Sequence, residues 1–200
     1  ATYAISASTG DGFLGCGLSC ADFNGDGWDD LTLSEGDGDV QLHTGGPDGM
    51  EFVGNLTGEG TPTGVLWIDI EEDGDLDLWV MRSGGAIQLF VQDGDGVLSE
   101  EAELRGVPQI EGLMPRGCSA SDYDRDGDLD VHVANYIIPG PGEHANLLLR
   151  NDGSGHFVDV ADSAGVGNGF QTSFQGSWLD HDDDGWDDLW VINDRAPFDN

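Results

Sequence analysis

The segment SDYDRDGDLDV, Ser121 to Val131, carries acidic side chains at two-residue intervals. Asp122, Asp124, Asp126, Asp128 and Asp130 repel one another at that spacing, and Gly127 breaks the run. Oxygen donors crowded in this way suit a hard cation. Calcium takes about six to eight oxygens at about 2.3–2.6 Å from carboxylates, carbonyls and water. In such a loop positions 1, 3 and 5 supply side-chain oxygens, and a glycine at position 6 permits a sharp turn. Position 7 offers its backbone carbonyl, which leaves its side chain free to vary. A bound ion would relieve the repulsion; the alternative is a solvated acidic turn.

The pattern recurs in register. DFNGDGWDDL begins at Asp22, DIEEDGDLDL at Asp69, DYDRDGDLDV at Asp122 and DHDDDGWDDL at Asp180, at separations of 47, 53 and 58 residues. Each copy reads D-x-[DNE]-x-D-G-x-x-D followed by Leu or Val. Position 7 is Trp28, Asp75, Asp128 or Trp186, and position 9 is always Asp. Copy 2 departs at position 3, where Glu71 stands in place of Asp or Asn. An EF-hand would place a bidentate Glu at position 12 between two helices. Position 12 here is Leu33, Val80, Val133 or Val191, inside a strand pattern, so these are not EF-hands.

The elements that must position these loops also repeat. Short apolar or alternating runs follow each loop: LTL, LWVM, VHVANY and LWVIN. After the first three come second runs, VQLHT, AIQLFVQ and NLLLRN, then Gly-Asp turns, then MEFVG, VLSEE and HFVDV. Small-residue runs precede the loops: GCGLSCAD, GVLWID, RGCSASD and FQGSWLD. These runs read as strands. The unit is strand, acidic loop, strand, turn, strand, turn, strand. Four antiparallel strands repeated every ~50 residues predict an all-β fold of β-propeller blades, since β-helix coils repeat over much shorter spans. No helix is expected, beyond one turn at residues 99–105. The N-terminal YAISASTG aligns with FVDVADSAG, the last strand of a unit. Residues 1–200 therefore read as one propeller domain or part of a longer propeller, the other options being a small distorted ring or completion by a second chain.

Composition narrows the partners. Forty Asp and Glu oppose six Arg and no Lys, for a net charge of −34. Nucleic acid and anionic membrane surfaces are excluded, because both require basic patches. With apolar residues at 38% of the chain, a folded core is expected. No run is long enough to span a bilayer, and no secretory leader is read in these residues. Cys16 and Cys20, on one strand, stand too far apart to bridge at ~3.3 Å per residue; a bridge to Cys118 and free thiols both remain open.

Other signals are weaker. GDGFLG, Gly10 to Gly15, has no helix after it and reads as a turn rather than a nucleotide loop. His43, His132, His144, His156 and His181 show no zinc spacing, and His181 falls at a non-ligand position of loop 4. No G-x-S-x-G elbow occurs, and the paired carboxylates belong to the acidic loops, so no catalytic residues are assigned. Asn55-Leu56-Thr57 is a sequon that reads as a plain loop. YIIPGPGEHAN, Tyr136 to Asn146, is the longest insertion and reads as a surface loop. Trp67, Trp79 and Trp190 read as packing between blades; Trp28 and Trp186 read as exposed or as covering a neighbouring blade.

The repeated loop resembles the FG-GAP or VCBS repeat, as in the calcium-binding blades of integrin α-chain propellers. NLLLRNDGSGHFVDVADSAGV, with the loop from Asp180, also looks like cartilage-acidic-protein relatives that carry an ASPIC/UnbV segment. The resemblance implies a loop that joins two blade strands and binds Ca²⁺, and a ring of roughly seven blades. Carried onto this chain, the ligands are Asp22, Asn24, Asp26 and Asp30; Asp69, Glu71, Asp73 and Asp77; Asp122, Asp124, Asp126 and Asp130; and Asp180, Asp182, Asp184 and Asp188. With the position-7 carbonyls of Trp28, Asp75, Asp128 and Trp186, these would hold about four structural Ca²⁺ ions. The expected function is a non-enzymatic, secreted or cell-surface adhesion module that binds an extracellular protein or carbohydrate. The alternatives are a propeller lyase or hydrolase acting on polysaccharide and an architectural unit of a larger surface protein or filament.

Overall fold

The computed structural model describes residues 17–35, 38–110, 112–136, 145–167, 169 and 171–194. The strands assemble in chain order. β1 (Leu18–Ala21), β2 (Asp30–Ser34), β3 (Val40–Thr44) and β4 (Glu51–Leu56) form the first antiparallel sheet. β5 (Thr61–Ile68), β6 (Asp77–Ser83), β7 (Gln88–Gln92) and β8 (Leu98–Glu100) form the second. β9 (Pro115–Ser121), β10 (Asp130–Asn135), β11 (Leu147–Asn151) and β12 (Phe157–Asp159) form the third, and β13 (Ser173–Leu179) pairs with β14 (Asp188–Asn193). Each acidic loop joins the first two strands of its sheet. We call the sheets blades 1 to 4 in this order; no closed ring is seen among the described residues.

Face-to-face packing explains why β6 is apolar on both sides. Every residue of β6 is buried. Leu78 and Val80 join a core with Phe23, Val40, Leu42, Val65, Trp67 and Phe90, between blades 1 and 2. Trp79 and Met81, on the opposite face, join Leu89, Val131, Val133, Leu147, Leu149 and Phe157, between blades 2 and 3. Burying each such side chain contributes roughly 1.5–3 kcal/mol. Polar groups bridge the same interfaces. Trp67 Nε1 donates to Thr32 Oγ1 at 2.8 Å, Gln92 Nε2 to Phe23 O at 3.0 Å, and Asn151 Nδ2 to Ile70 O at 2.7 Å. The fully buried Arg82 guanidinium donates to Gly38 O at 2.6 Å and to Gln88 Oε1 at 2.5 Å.

Several expectations require correction. A short helix, α1 (Ala161–Ala164), follows β12. It closes in a Schellman turn: Gly165 has φ 74°, and Val166 N–H donates to Ala161 O at 3.0 Å. Four residues are too few to show a helical period. The turn expected at residues 99–105 begins later, after β8, where Arg105 N–H donates to Glu101 O at 2.9 Å. Asn55 lies in β4 rather than in a loop, with Nδ2 donating to Asp39 Oδ2 at 2.8 Å. Trp67 and Trp79 are buried, but Trp190 is 57% exposed, because no described element packs against its face of β14. Cys20 and Cys118 are free thiols, so no bridge joins them; Cys16 lies outside the described residues. YAISASTG, GDGFLG and residues 137–144 of the long insertion also lie outside them.

Candidate metal centre

All four loops fold by one hydrogen-bond scheme, in which carboxylates accept from the loop's own backbone. The position-1 Asp reaches across the turn. Gly27 N–H donates to Asp22 at 2.8 Å, Gly74 to Asp69 at 2.9 Å, Gly127 to Asp122 at 3.2 Å and Gly185 to Asp180 at 2.8 Å. The position-5 carboxylate receives the position-7 N–H: Trp28 to Asp26 at 2.9 Å, Asp75 to Asp73 at 3.0 Å, Asp128 to Asp126 at 3.2 Å, Trp186 to Asp184 at 2.8 Å. The position-6 glycines have φ of 89°, 95°, 104° and 86°, as the sharp turn requires. Position 4 is left-handed as well, at Gly25 (69°), Glu72 (56°), Arg125 (61°) and Asp183 (60°). Sequence reading missed that second reversal; the glycine of copy 1 was its only signal.

Position 9 has a dual role. Asp30, Asp77 and Asp130 open the second strands and are buried. One oxygen takes the position-2 N–H, from Phe23 at 3.0 Å, Ile70 at 3.0 Å and Tyr123 at 3.2 Å. The other takes an N–H from the end of the third strand, Gly45 at 2.8 Å, Gln92 at 2.9 Å and Asn151 at 2.9 Å. This carboxylate therefore ties loop, second strand and third strand together. Burial pushes Asp77 and Asp130 up to about 7 and raises Asp30 too. Asp188 of loop 4 is different: His181 Nδ1 lies 2.6 Å from its Oδ2, and that hydrogen bond lowers the carboxyl and raises the imidazole.

Convergence of donors differs among loops. Asp122, Asp124 and Asp130 each place an oxygen within 4.8 Å of the others, as do Asp180, Asp182 and Asp184. His181 forms a third group with Asp182 and Asp188, although its spacing gave no hint of this. Asp122 Oδ1 is buried with no hydrogen-bond partner, so a lone pair faces the loop without a proton donor. An all-oxygen set with an orphaned acceptor fits a hard cation. In loop 1, Asn24 Oδ1 accepts from Asp26 N–H at 2.9 Å, and Asn24 Nδ2 donates to Asp26 Oδ2 at 3.1 Å. In loop 2, Asp69 and Asp73 share the common scheme, but Glu71 pairs with Arg105 Nη2 at 3.1 Å.

Neighbouring loops also touch. The Arg125 guanidinium sits 4.1 Å from the centre of the Trp186 ring, and Ser121 Oγ donates to Asp187 Oδ2 at 2.5 Å. Trp28 and Trp186 are about half exposed, at 50% and 46%, whereas Asp75 and Asp128 are partly buried.

Among the described residues, no helix is long and apolar enough to cross a membrane. Among solved structures, the chain is similar to BBS1N, a β-propeller, in the crystal structure of BBS1N in complex with ARL6DN, soaked with mercury. That match has 15% identity and a TM-score of 0.51, and covers 88% of this chain and 53% of that one. The chain thus spans about half the length of that relative, and the likeness concerns the fold alone. The FG-GAP-like repeat model matches residues 22–80 and 72–133, which takes in loops 1 to 3 and the strands around them. The matched residues span more than half of the chain, and the chain belongs to the FG-GAP-like repeat family.

Proposed function

We propose that the chain is a calcium-stabilised binding or adhesion module of a secreted or cell-surface protein, its blades belonging to a single larger propeller. The observation that carries this reading is the meeting of Asp122, Asp124 and Asp130 around an unpartnered carboxylate oxygen. In a loop that takes the ion, the ligand-bearing positions would be 1, 3 and 5, with position 9 and the position-7 carbonyl behind them. The bound ion would neutralise the carboxylates and hold the turn shut. The loops' own residues do the rest: the position-1 and position-5 carboxylates shape the turn, and position 9 transmits it into the strands. The metal's part is structural, and the ligand of the module is an extracellular protein or carbohydrate.

Extracellular calcium sites work at about 10⁻⁴–10⁻³ M. A site that binds only the folded state adds ~2.7 kcal/mol at a hundredfold excess of ligand over Kd. Chelator should therefore lower the melting temperature, and calcium should restore it. Identical melts in chelator and in millimolar calcium would overturn the reading. A glycan and matrix-protein array, run in calcium, tests the adhesion part.

A further inference from the structure

We propose that loop 2 is held by Arg105 in place of a divalent ion, so that the chain takes up metal at loops 1, 3 and 4 only; this rests on the calcium reading of those loops. The difference starts at position 3. In the other loops that side chain accepts the position-5 N–H: Asn24 from Asp26 at 2.9 Å, Asp124 from Asp126 at 3.3 Å, Asp182 from Asp184 at 3.2 Å. Glu71 makes no such bond. Its additional methylene carries the carboxylate out of the turn, where Oε1 meets Arg105 Nη2 at 3.1 Å. Oε2 is buried with no hydrogen-bond partner, as Asp122 Oδ1 is in loop 3, but it lies beside blade 3, 2.9 Å from where a Cβ on Gly155 would stand. Oε1 is thus engaged by Arg105, and Oε2 lies beside Gly155 of the β11–β12 turn.

Arg105 is anchored for this role. Its Nε donates to Glu101 Oε2 at 2.9 Å and its Nη1 to Ser154 O at 2.8 Å. A side chain at Gly155 would also sit 2.6 Å from Arg105 Nη1, and the φ of 72° there favours glycine in any case. The guanidinium therefore brings a fixed positive charge to loop 2 and couples it to blade 3. Asp77 accepts from Ile70 and Gln92 at 3.0 and 2.9 Å, just as Asp130 accepts from Tyr123 and Asn151 at 3.2 and 2.9 Å, so position 3 is what sets loop 2 apart. Among the described residues, acidic groups converge in loops 3 and 4 and in neither loop 1 nor loop 2; loop 1 carries the neutral oxygen donor Asn24 at position 3, whereas loop 2 carries a carboxylate there that is paired with Arg105.

Calorimetric calcium titration of the chelator-stripped 200-residue chain tests this, with melts in chelator and in calcium. Wild type should bind about three ions. Glu71→Gln should keep that count and lower the melting temperature equally in chelator and calcium. Asp124→Asn should lose one ion and destabilise only in calcium. Should Glu71→Gln fail to fold, Glu71→Asp replaces it; it withdraws the carboxylate from Arg105 and should gain one ion, and an unchanged count overturns the proposal. Four ions in wild type falling to three in Glu71→Gln would make loop 2 a metal site and overturn this proposal alone. No calcium uptake by wild type would remove the calcium reading and this inference together.

Discussion

Blades 2 and 4 open their second strands with nearly the same words, Asp77-Leu78-Trp79-Val80-Met81 and Asp188-Leu189-Trp190-Val191-Ile192. Both form strands in the same register to their first strands, Ile68 opposite Asp77 and Leu179 opposite Asp188. Their environments diverge. Trp79 and Met81 are fully buried, while Trp190 and Ile192 are 57% and 60% exposed. Blade 3 covers the first pair, with Phe157 meeting Trp79 edge-on at 4.9 Å. No described element covers the second. Alternation along a strand therefore decides which residues share a face, and the neighbouring sheet decides whether that face is core. The same holds for the carboxylates. Asp77 receives Gln92 N–H from β7, whereas Asp188 is bonded by both the backbone and the ring of His181.

The widest separation between the two blades should come from the tryptophans. Trp79→Ala should cost about 3–5 kcal/mol in urea unfolding, and Trp190→Ala within roughly 0.5 kcal/mol. Equal losses would break the comparison, by showing that blade 4's outer face is packed in solution. Next come the carboxylates. Asp77→Ala strips the acceptor from two buried N–H groups, at about 1–3 kcal/mol for each left unpaired. Asp188→Ala should change stability far less, as read from the same curves.

The pH dependence sharpens the contrast. In chelator, folded Asp77 at about 7 binds a proton that the unfolded carboxyl releases near its ordinary value. The folded state then holds more protons between about pH 4 and 7, so stability falls as pH rises through that window. Asp77→Asn should flatten the fall in melting temperature across it; an unaltered profile would refute the assignment. Asp188 has the opposite sign, because its carboxyl is lowered: its contribution is present above the unfolded value and is lost as pH falls through the folded one. The smallest effect is expected at the junction of loops 3 and 4. Arg125→Ala removes the guanidinium over Trp186 and should cost about 0.5–1 kcal/mol, visible as a small drop in melting temperature and a change in Trp fluorescence.

Much of the fold and of the candidate site was legible because the signals are local. Asp at position 1, Gly at position 6 and Asp at position 9 build a turn whose internal hydrogen bonds span at most seven residues, as from Phe23 to Asp30, and only the second oxygen of position 9 reaches further, to the third strand. Short continuous apolar runs such as LWVM mark a strand with two apolar faces, and Gly-Asp turns separate the strands. Where reading failed, the deciding partner was remote or the segment too short. Helix α1 has one turn, held by Gly165 rather than by any periodic face. His181 was set aside for its position, yet the turn brings its ring onto Asp188. Arg105 lies 34 residues from Glu71, and nothing near either residue announces the pair.

The sequence alone therefore determined the repeated unit, its four-strand order and the acidic turn, since each depends on neighbours a few residues apart. The tertiary structure decided which apolar faces become core and which carboxylates meet around one point. It also decided which loop receives an arginine. Those outcomes depend on how one sheet stacks on the next, and burial and Coulomb attraction act through space between residues far apart in the chain.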